Sequence, residues 1–347
     1  MEFVLTLFLT EAEVVQLMDT DPLFHGAVDA LESAFIASAR GEIATPKEER
    51  LRVVWPPNAQ VRPYDKDIRI LPAIVPGLDI AGIHIGCNAH GHHEGGTSYQ
   101  ILLDFTTFSP IAIICDTRMH NVRAGGPTGI AVRHFARRGA ERLGVIGSGG
   151  IGDVQASVAC GQCPTLKSAK VFSPTPAHRE EFARRLTKRT GVPFEPVGSA
   201  REAIRDADVV TISTNSYNAP VLDGDDFKPG AVVAQVTPGE LDEKTVLRSR
   251  VIVTSKNRIL YDYTPWQPVA RIALRGDLDM DATPTLAEVL NGEQVGRRSD
   301  DEIVLLVSPG IGFCDAAVGR WVYDLALKAG IGTQLDSARL PGIPGSH

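Results

Sequence analysis

The chain has 347 residues, 43% of them hydrophobic, and a formal charge of -7 at neutral pH. That is enough for two domains with separate cores. The acidic balance argues against a nucleic-acid binder, since the basic stretches Arg133 to Arg142 and Arg184 to Arg189 read as solvated helix faces. Five cysteines, no secretory signal and an apolar opening soon broken by Glu11 and Glu13 point to a reducing, cytoplasmic protein that does not span a membrane.

In chain order, an opening strand leads to Thr10-x-x-Glu13, a capping box that starts a helix running through Met18. A second helix is expected from Pro22 to Arg40, stopped by Gly41. Leu51 to Gln60, Ile68 to Ala73 and Ile80 to Gly86 are strand-like, and Tyr99 to Phe105 and Pro110 to Asp116 form a hairpin. This first part is expected to be α+β. Between its strands lies a loop, Cys87-Asn-Ala-His90-Gly-His92-His93-Glu94, with imidazole and thiol groups. Its spacing matches no closed zinc pattern, so no metal is expected; His92 and His93 are candidates for the mouth of a substrate site.

Gly129 to Arg138 is helical and leads into RLGVIGSGGIG, Arg142 to Gly152. There an apolar run ends in Gly147-x-Gly149-x-x-Gly152, the pattern of a buried parallel strand turning into a helix whose N-terminus holds a dinucleotide pyrophosphate. Gly147, Gly149, Gly150, Ile151 and Gly152 are the expected backbone contacts. A lone glycine pattern is weak evidence. The chain beyond Gly152 strengthens it: Val/Ile-rich strands at Ala169 to Phe172, Phe194 to Val197, Val209 to Thr214, Ala231 to Gln235 and Val251 to Thr254 alternate with helical stretches. That is a doubly wound, Rossmann-type parallel sheet. Thr214 and Asn215 end the strand after the sheet midpoint, where a nicotinamide ribose would lie. Cys160-x-x-Cys163 falls at the C-terminal end of the first helix, away from the N-terminus that stabilises a redox thiolate. After Thr254 the pattern changes, with a helix at Thr285 to Asn291, a strand at Glu302 to Leu306 and a long amphipathic helix at Asp315 to Lys328.

An NAD site of this fold usually carries an acid at the end of the second strand. Here that position reads Val171-Phe172-Ser173-Pro174-Thr175, without a carboxylate, and Ser173, Thr175 and Arg179 are placed to receive a 2′-phosphate. NADP is therefore expected, with NAD as the alternative; the plainer reading of Ser173 and Thr175 is that they cap the next helix.

With these elements in place, four segments resemble the ornithine cyclodeaminase/mu-crystallin family: Leu71 to Ile85, Asn121 to Ala131, Asp206 to Val236 and Gly296 to Ala317. The resemblance implies a homodimer whose subunit has a substrate and dimerisation domain at residues 1–128, a dinucleotide domain at 129–300, and a return to the first domain at 301–347. It implies hydride transfer between nicotinamide and the α-carbon of an amino acid or its imine. The family arginine that holds the substrate carboxylate falls on Arg123, as suits a bidentate guanidinium; the plainer reading pairs Arg123 with Asp116. The family lysine near the substrate falls on His84, which can donate to an imine nitrogen or exchange a proton near neutral pH. Lys47 and Arg69 are further carboxylate partners. An acid that cyclising members carry before Glu240-Leu241-Asp242 has no match, so an ornithine cyclodeaminase-type lyase is the lesser alternative, together with a non-catalytic, NADP-loaded binding protein.

Overall fold

The computed structural model describes residues 4–46, 51–55, 66–88, 97–214, 221–237, 239–262 and 267–337. The first half runs β1 (Val4–Leu9), α1 (Glu11–Met18), α2 (His25–Ala39), β2 (Leu51–Trp55), β3 (Lys66–Val75), β4 (Ile80–Asn88), β5 (Thr97–Asp104), β6 (Pro110–Cys115), α3 (Thr117–Gly125) and α4 (Pro127–Phe135). Then come β7 (Arg142–Ile146), α5 (Gly150–Gln162), β8 (Ser168–Phe172), α6 (Pro176–Thr190), β9 (Phe194–Pro196), α7 (Ala200–Ile204), β10 (Val209–Ile212) and β11 (Val232–Gln235). The chain continues through α8 (Glu243–Leu247), β12 (Ser249–Val253), α9 (Pro268–Leu274), α10 (Leu286–Leu290), β13 (Ile303–Val307), α11 (Gly312–Ala329) and β14 (Thr333–Ser337).

The strands form two seven-stranded sheets. One is parallel throughout, in the order β12-β13-β11-β10-β7-β8-β9. Its central strands β10, β11 and β13 are buried at every position, which is why they read as unbroken Val/Ile/Leu runs. The strand order reverses between β7 and β10, so a crevice opens at the C-terminal edge beside β7. This is the expected Rossmann-type unit.

The other sheet, β14-β1-β6-β5-β4-β3-β2, is antiparallel except for β1 against β6, and forms the α+β part. Its strands alternate. Leu71, His84, Gln100 and Leu102 face inward and are buried, while Ile68 and Tyr99 on the outer face are 48% and 40% exposed. Helix α11 lies on the inner face and α2 packs on α11, so one apolar core runs from Leu31 and Phe35 through Phe313 to Ile114.

The capping box forms as expected, with Thr10 N–H donating to Glu13 Oε2 at 2.8 Å and Thr10 Oγ1 accepting from Glu13 N–H. The domain limits need correction. The limit at 128/129 cuts α4, which begins at Pro127, and the limit at 300/301 falls one strand early, because β13 pairs with β11 and β12 in the parallel sheet. A strand buried on both faces reads alike in either core. The basic stretches are drawn into ion pairs: Arg133 bridges Asp29 and Glu32, and Arg185 and Arg189 converge with Arg118 on buried Asp153. Cys160 and Cys163 sit at the end of α5, where burial pushes the Cys160 thiol up to about 12. No helix among the described residues is long and apolar enough to cross a membrane.

Candidate active site

The crevice is lined by backbone. Gly147 adopts φ +103° and a Cβ there would strike the Ser213 carbonyl oxygen, so only glycine makes this turn. Asp153 N–H donates to the Gly149 carbonyl at 2.9 Å, beginning α5 and leaving the amides of Gly150, Ile151 and Gly152 as the free N-terminal donors. The position a Cβ of Gly149 would take is open, whereas that of Gly150 abuts the Asn121 side chain. At the end of β8, Ser148 Oγ donates to Ser173 Oγ at 2.9 Å and Arg179 Nη1 donates to the Ser173 carbonyl at 3.0 Å. Thr175 is the N-cap of α6 but its side chain makes no capping bond, so capping does not account for it. Thr214, past the end of β10, gives its N–H (2.9 Å) and hydroxyl (3.1 Å) to Glu240 Oε1.

Beside this turn lies a cluster of charged groups drawn from five elements. His84 projects inward from β4, opposite Gln100 and Leu71 on its neighbours. Asp116 is the residue before α3, and its Oδ2 accepts from His84 Nδ1 at 2.6 Å. Asp315, in the first turn of α11, places Oδ1 3.3 Å from His84 Nδ1 and 2.9 Å from Arg123 Nε. Arg123 Nη2 donates to His120 Nδ1 at 3.0 Å, and the His84 and His120 rings lie 5.7 Å apart. A Cβ on Gly310, just past the end of β13, would overlap Arg123 Nη1, so the glycine makes the room that lets this guanidinium reach the sheet edge. His84 Nε2 and Arg69 Nη2 lie 3.0 Å and 3.6 Å from the place a Cβ of Gly86 would occupy, which sets them beside one another.

His84, Asp116, Asp315 and Arg123 are 1%, 1%, 2% and 8% exposed, deep enough for each charge to need a partner. Burial pushes Asp315 above the usual carboxylate range, against the pull of Arg123 and His84. Neither Asp315 oxygen receives a hydrogen bond, because Arg123 Nε is close but off the N–H line; Asp116 Oδ1 also lacks a donor. Burial drives the His120 imidazole well below its ordinary range, and the charges of Arg123, His84 and Arg69 add to this.

The His84, Asp116 and Asp315 ligand atoms lie within 4.8 Å of one another, as a metal site would require. Two features count against that use. The 2.6 Å separation of His84 and Asp116 is that of a shared proton. Guanidinium groups also stand close by: Arg69 faces His120, and Arg123 and Arg258 face Asp315. Guanidinium groups this near favour an anion over a divalent cation.

Of the residues singled out in the sequence, His84, Arg69 and Arg123 meet in one cluster, and Gly147, Gly149, Gly150, Ile151, Gly152, Ser173, Thr175, Arg179 and Thr214 line the parallel-sheet edge beside it. Lys47, His92, His93 and Asn215 lie outside the described residues. The plainer alternative, an Arg123–Asp116 pair, does not form: Arg123 pairs with Asp315 and Asp116 with His84. Asp315, His120 and Glu240 were missed. Asp315 had a signal, a lone acid among Phe313, Cys314, Ala316 and Ala317 on a buried helix face. So had His120, three residues before Arg123 on one helix.

The fold and these residues define a two-domain protein with a Rossmann-type dinucleotide-binding sheet and a buried charged cluster beside its glycine turn. The family model for ornithine cyclodeaminase/mu-crystallin proteins matches residues 6–330, and the chain belongs to that family. It is 26% identical over 281 residues to a Delta(1)-pyrroline-2-carboxylate reductase of Bacillus cereus, an alignment covering 77% of this chain and 84% of that one. The fold matches the Delta(1)-pyrroline-2-carboxylate reductase of Thermococcus litoralis, solved with NADH and L-proline, at TM-score 0.83 and 24% identity, over 95% of this chain and all of that one. It also matches an archaeal alanine dehydrogenase dimer with bound NAD at TM-score 0.80 and 24% identity, over 96% and 99% of the two chains.

Proposed function

We propose that the protein is a nicotinamide-dependent oxidoreductase that reduces a carboxylate-bearing imine, or oxidises the matching amino acid, at the α-carbon. The observation that carries this reading is Asp315: a buried carboxylate paired with Arg123 yet receiving no aligned hydrogen bond, in a charged cluster beside the glycine turn. A substrate N–H supplies the hydrogen bond Asp315 lacks, and a carboxylate beside it suits the neighbouring guanidinium groups. Arg69 and Arg123 hold the carboxylate, and Asp315 faces the nitrogen. His84 keeps Nδ1–H on Asp116 and offers Nε2 for the proton that the nitrogen gains or loses. The bound cofactor supplies the hydride. Fixing the α-carbon against it is where much of the rate arises. The names of the relatives, a pyrroline-carboxylate reductase and an alanine dehydrogenase, support this substrate class.

For the cofactor we favour NADP over NAD. The end of β8 offers Ser173, Thr175 and Arg179 and no acid, although the two matched structures were solved with NADH and NAD. A homodimer is supported by the outer face of the mixed sheet, where Ile70, Ile83, Ile85, Ile101 and Ile113 align across β3 to β6 and no described element covers them; Ile83→Arg then yields monomers in solution scattering. The lyase reading is weakened by Glu240, whose carboxylate is fully buried against Thr214 and Gln235 and so cannot stand in for the acid missing from that loop. The binding-protein reading draws on Arg123 being engaged by Asp315 and His120. NADPH binding without turnover selects it.

The test is calorimetry with NADPH and NADH, followed by absorbance at the nicotinamide band over cyclic imino acids and over pyruvate with amines. Turnover is expected, and Arg123→Ala is expected to lose about a thousandfold in kcat/KM, as a charged clamp lost from a buried site should. An Arg123→Ala protein with wild-type kcat/KM sinks the proposal.

A further inference from the structure

We infer that His120 is a specificity-determining residue: a neutral Nε2–H donor at the open edge of the charged cluster, oriented by Arg123 and aimed at an oxygen of the substrate carboxylate. The assignment of the ligand as substrate rests on the oxidoreductase reading above; the state of the ring does not.

A guanidinium nitrogen only donates. The 3.0 Å contact between Arg123 Nη2 and His120 Nδ1 therefore uses the Nδ1 lone pair, and the ring hydrogen sits on Nε2. Protonating Nδ1 would break that bond and set a cation against a guanidinium. Arg123 on its own helix, His84 on β4 and Arg69 on β3 are the groups that face the ring. The carboxylates of Asp116 and Asp315 are taken up by His84 and Arg123, so neither is left to balance a proton on His120.

Position gives the ring its role. His84, Asp116, Arg123, Arg258 and Asp315 are all buried, whereas His120 and Arg69 keep part of their surface open. The next residue, Asn121, abuts the glycine turn. A ligand entering beside the cofactor thus meets His120 and Arg69 before the rest of the cluster. A neutral N–H beside Arg69 and Arg123 adds a third donor to the carboxylate those guanidinium groups hold.

The experiment has two arms on the full chain loaded with NADPH. In the first, long-range imidazole ¹⁵N spectra assign His120 by comparison with His120→Gln. The expected pattern is neutral with Nε2–H from pH 5.5 to 8, with Nε2 shifting on addition of L-proline; a protonated ring at pH 6, or a resonance unmoved by L-proline, overturns the inference. In the second, His120→Phe raises KM for the imino acid about tenfold or more, as loss of a bond to a charged group requires, with kcat and the NADPH Kd within about threefold. His120→Gln, whose amide reaches the Nε2 position, recovers most of the KM. An unchanged KM in a folded His120→Phe overturns the inference, and if that variant does not fold the spectra decide. Absence of turnover by the wild-type protein defeats the oxidoreductase reading alone, since the spectra still report on the ring and its carboxylate.

Discussion

The glycine turn and the charged cluster touch where Asn121 meets Gly150, yet they are built in opposite ways. The turn works by leaving side chains out: a positive φ at Gly147 and open space over Gly149 bring backbone amides to a ligand. The cluster works by crowding side chains in, with two carboxylates, two imidazoles and three guanidinium groups drawn from β3 and β4 of the mixed sheet, from α3 and α11 and from Arg258. A site of the first kind is set by one local stretch of chain and accepts any dinucleotide. A site of the second kind depends on several distant elements arriving in register, and that is where substrate choice resides.

Single changes should separate the two halves. His84→Gln is expected to lower kcat about 10²- to 10⁴-fold, the range of a general acid–base, with unchanged dinucleotide binding by fluorescence titration. A near-normal kcat would remove His84 from the chemistry. Gly147→Ala is the converse: a Cβ forced onto the Ser213 carbonyl at positive φ should weaken both dinucleotides about tenfold or more. If calorimetry shows unaltered Kd values, the turn is not the cradle.

Glu240→Gln sharpens the boundary between the halves, because Glu240 ties Thr214 to Gln235 and Thr237 at the sheet edge. Burial raises its pKa from 4.5 to about 7, against the pull of those hydrogen bonds. The native state therefore keeps this proton longer than the unfolded chain does. The stability it contributes is complete below pH 4.5 and is lost as pH rises through 7, a swing on the order of 3 kcal/mol. Urea denaturation at pH 5 and pH 8 should show that swing in the wild type and a flatter response in Glu240→Gln. Equal slopes would mean the carboxyl is ionised throughout. The smallest effect belongs to Arg179→Ala, expected to weaken NADPH about tenfold, within the range for loss of one charge-assisted bond, and to leave NADH unaffected.

This division also explains what could be read from the sequence. The parallel sheet and its turn were legible because the signals are local: runs of Val and Ile, glycine spacing, a strand end without an acid. His84, Arg69 and Arg123 were legible as residues, but their partners were not. The alternative partner weighed for Arg123 was Asp116, seven positions earlier, whereas Asp315 near the other end of the chain is the acid that pairs with it. No spacing rule links those two. The strand Ile303–Val307 was misplaced for a related reason, since a fully apolar strand carries no mark of which sheet receives it.

The pairing of β14 with β1 has a consequence for the order of assembly. Residues 4–8 find their antiparallel partners at 333–337, and α11, which covers the inner face of the mixed sheet, comes just before. During synthesis the first hundred residues are made with one edge and one face of their sheet uncovered. The dinucleotide domain, interposed as a largely self-contained unit with its own parallel pairings, can close first. Contacts of such long sequence separation are slow to form. The mixed-sheet half is therefore expected to close last, and refolding from denaturant should recover dinucleotide binding before it recovers turnover.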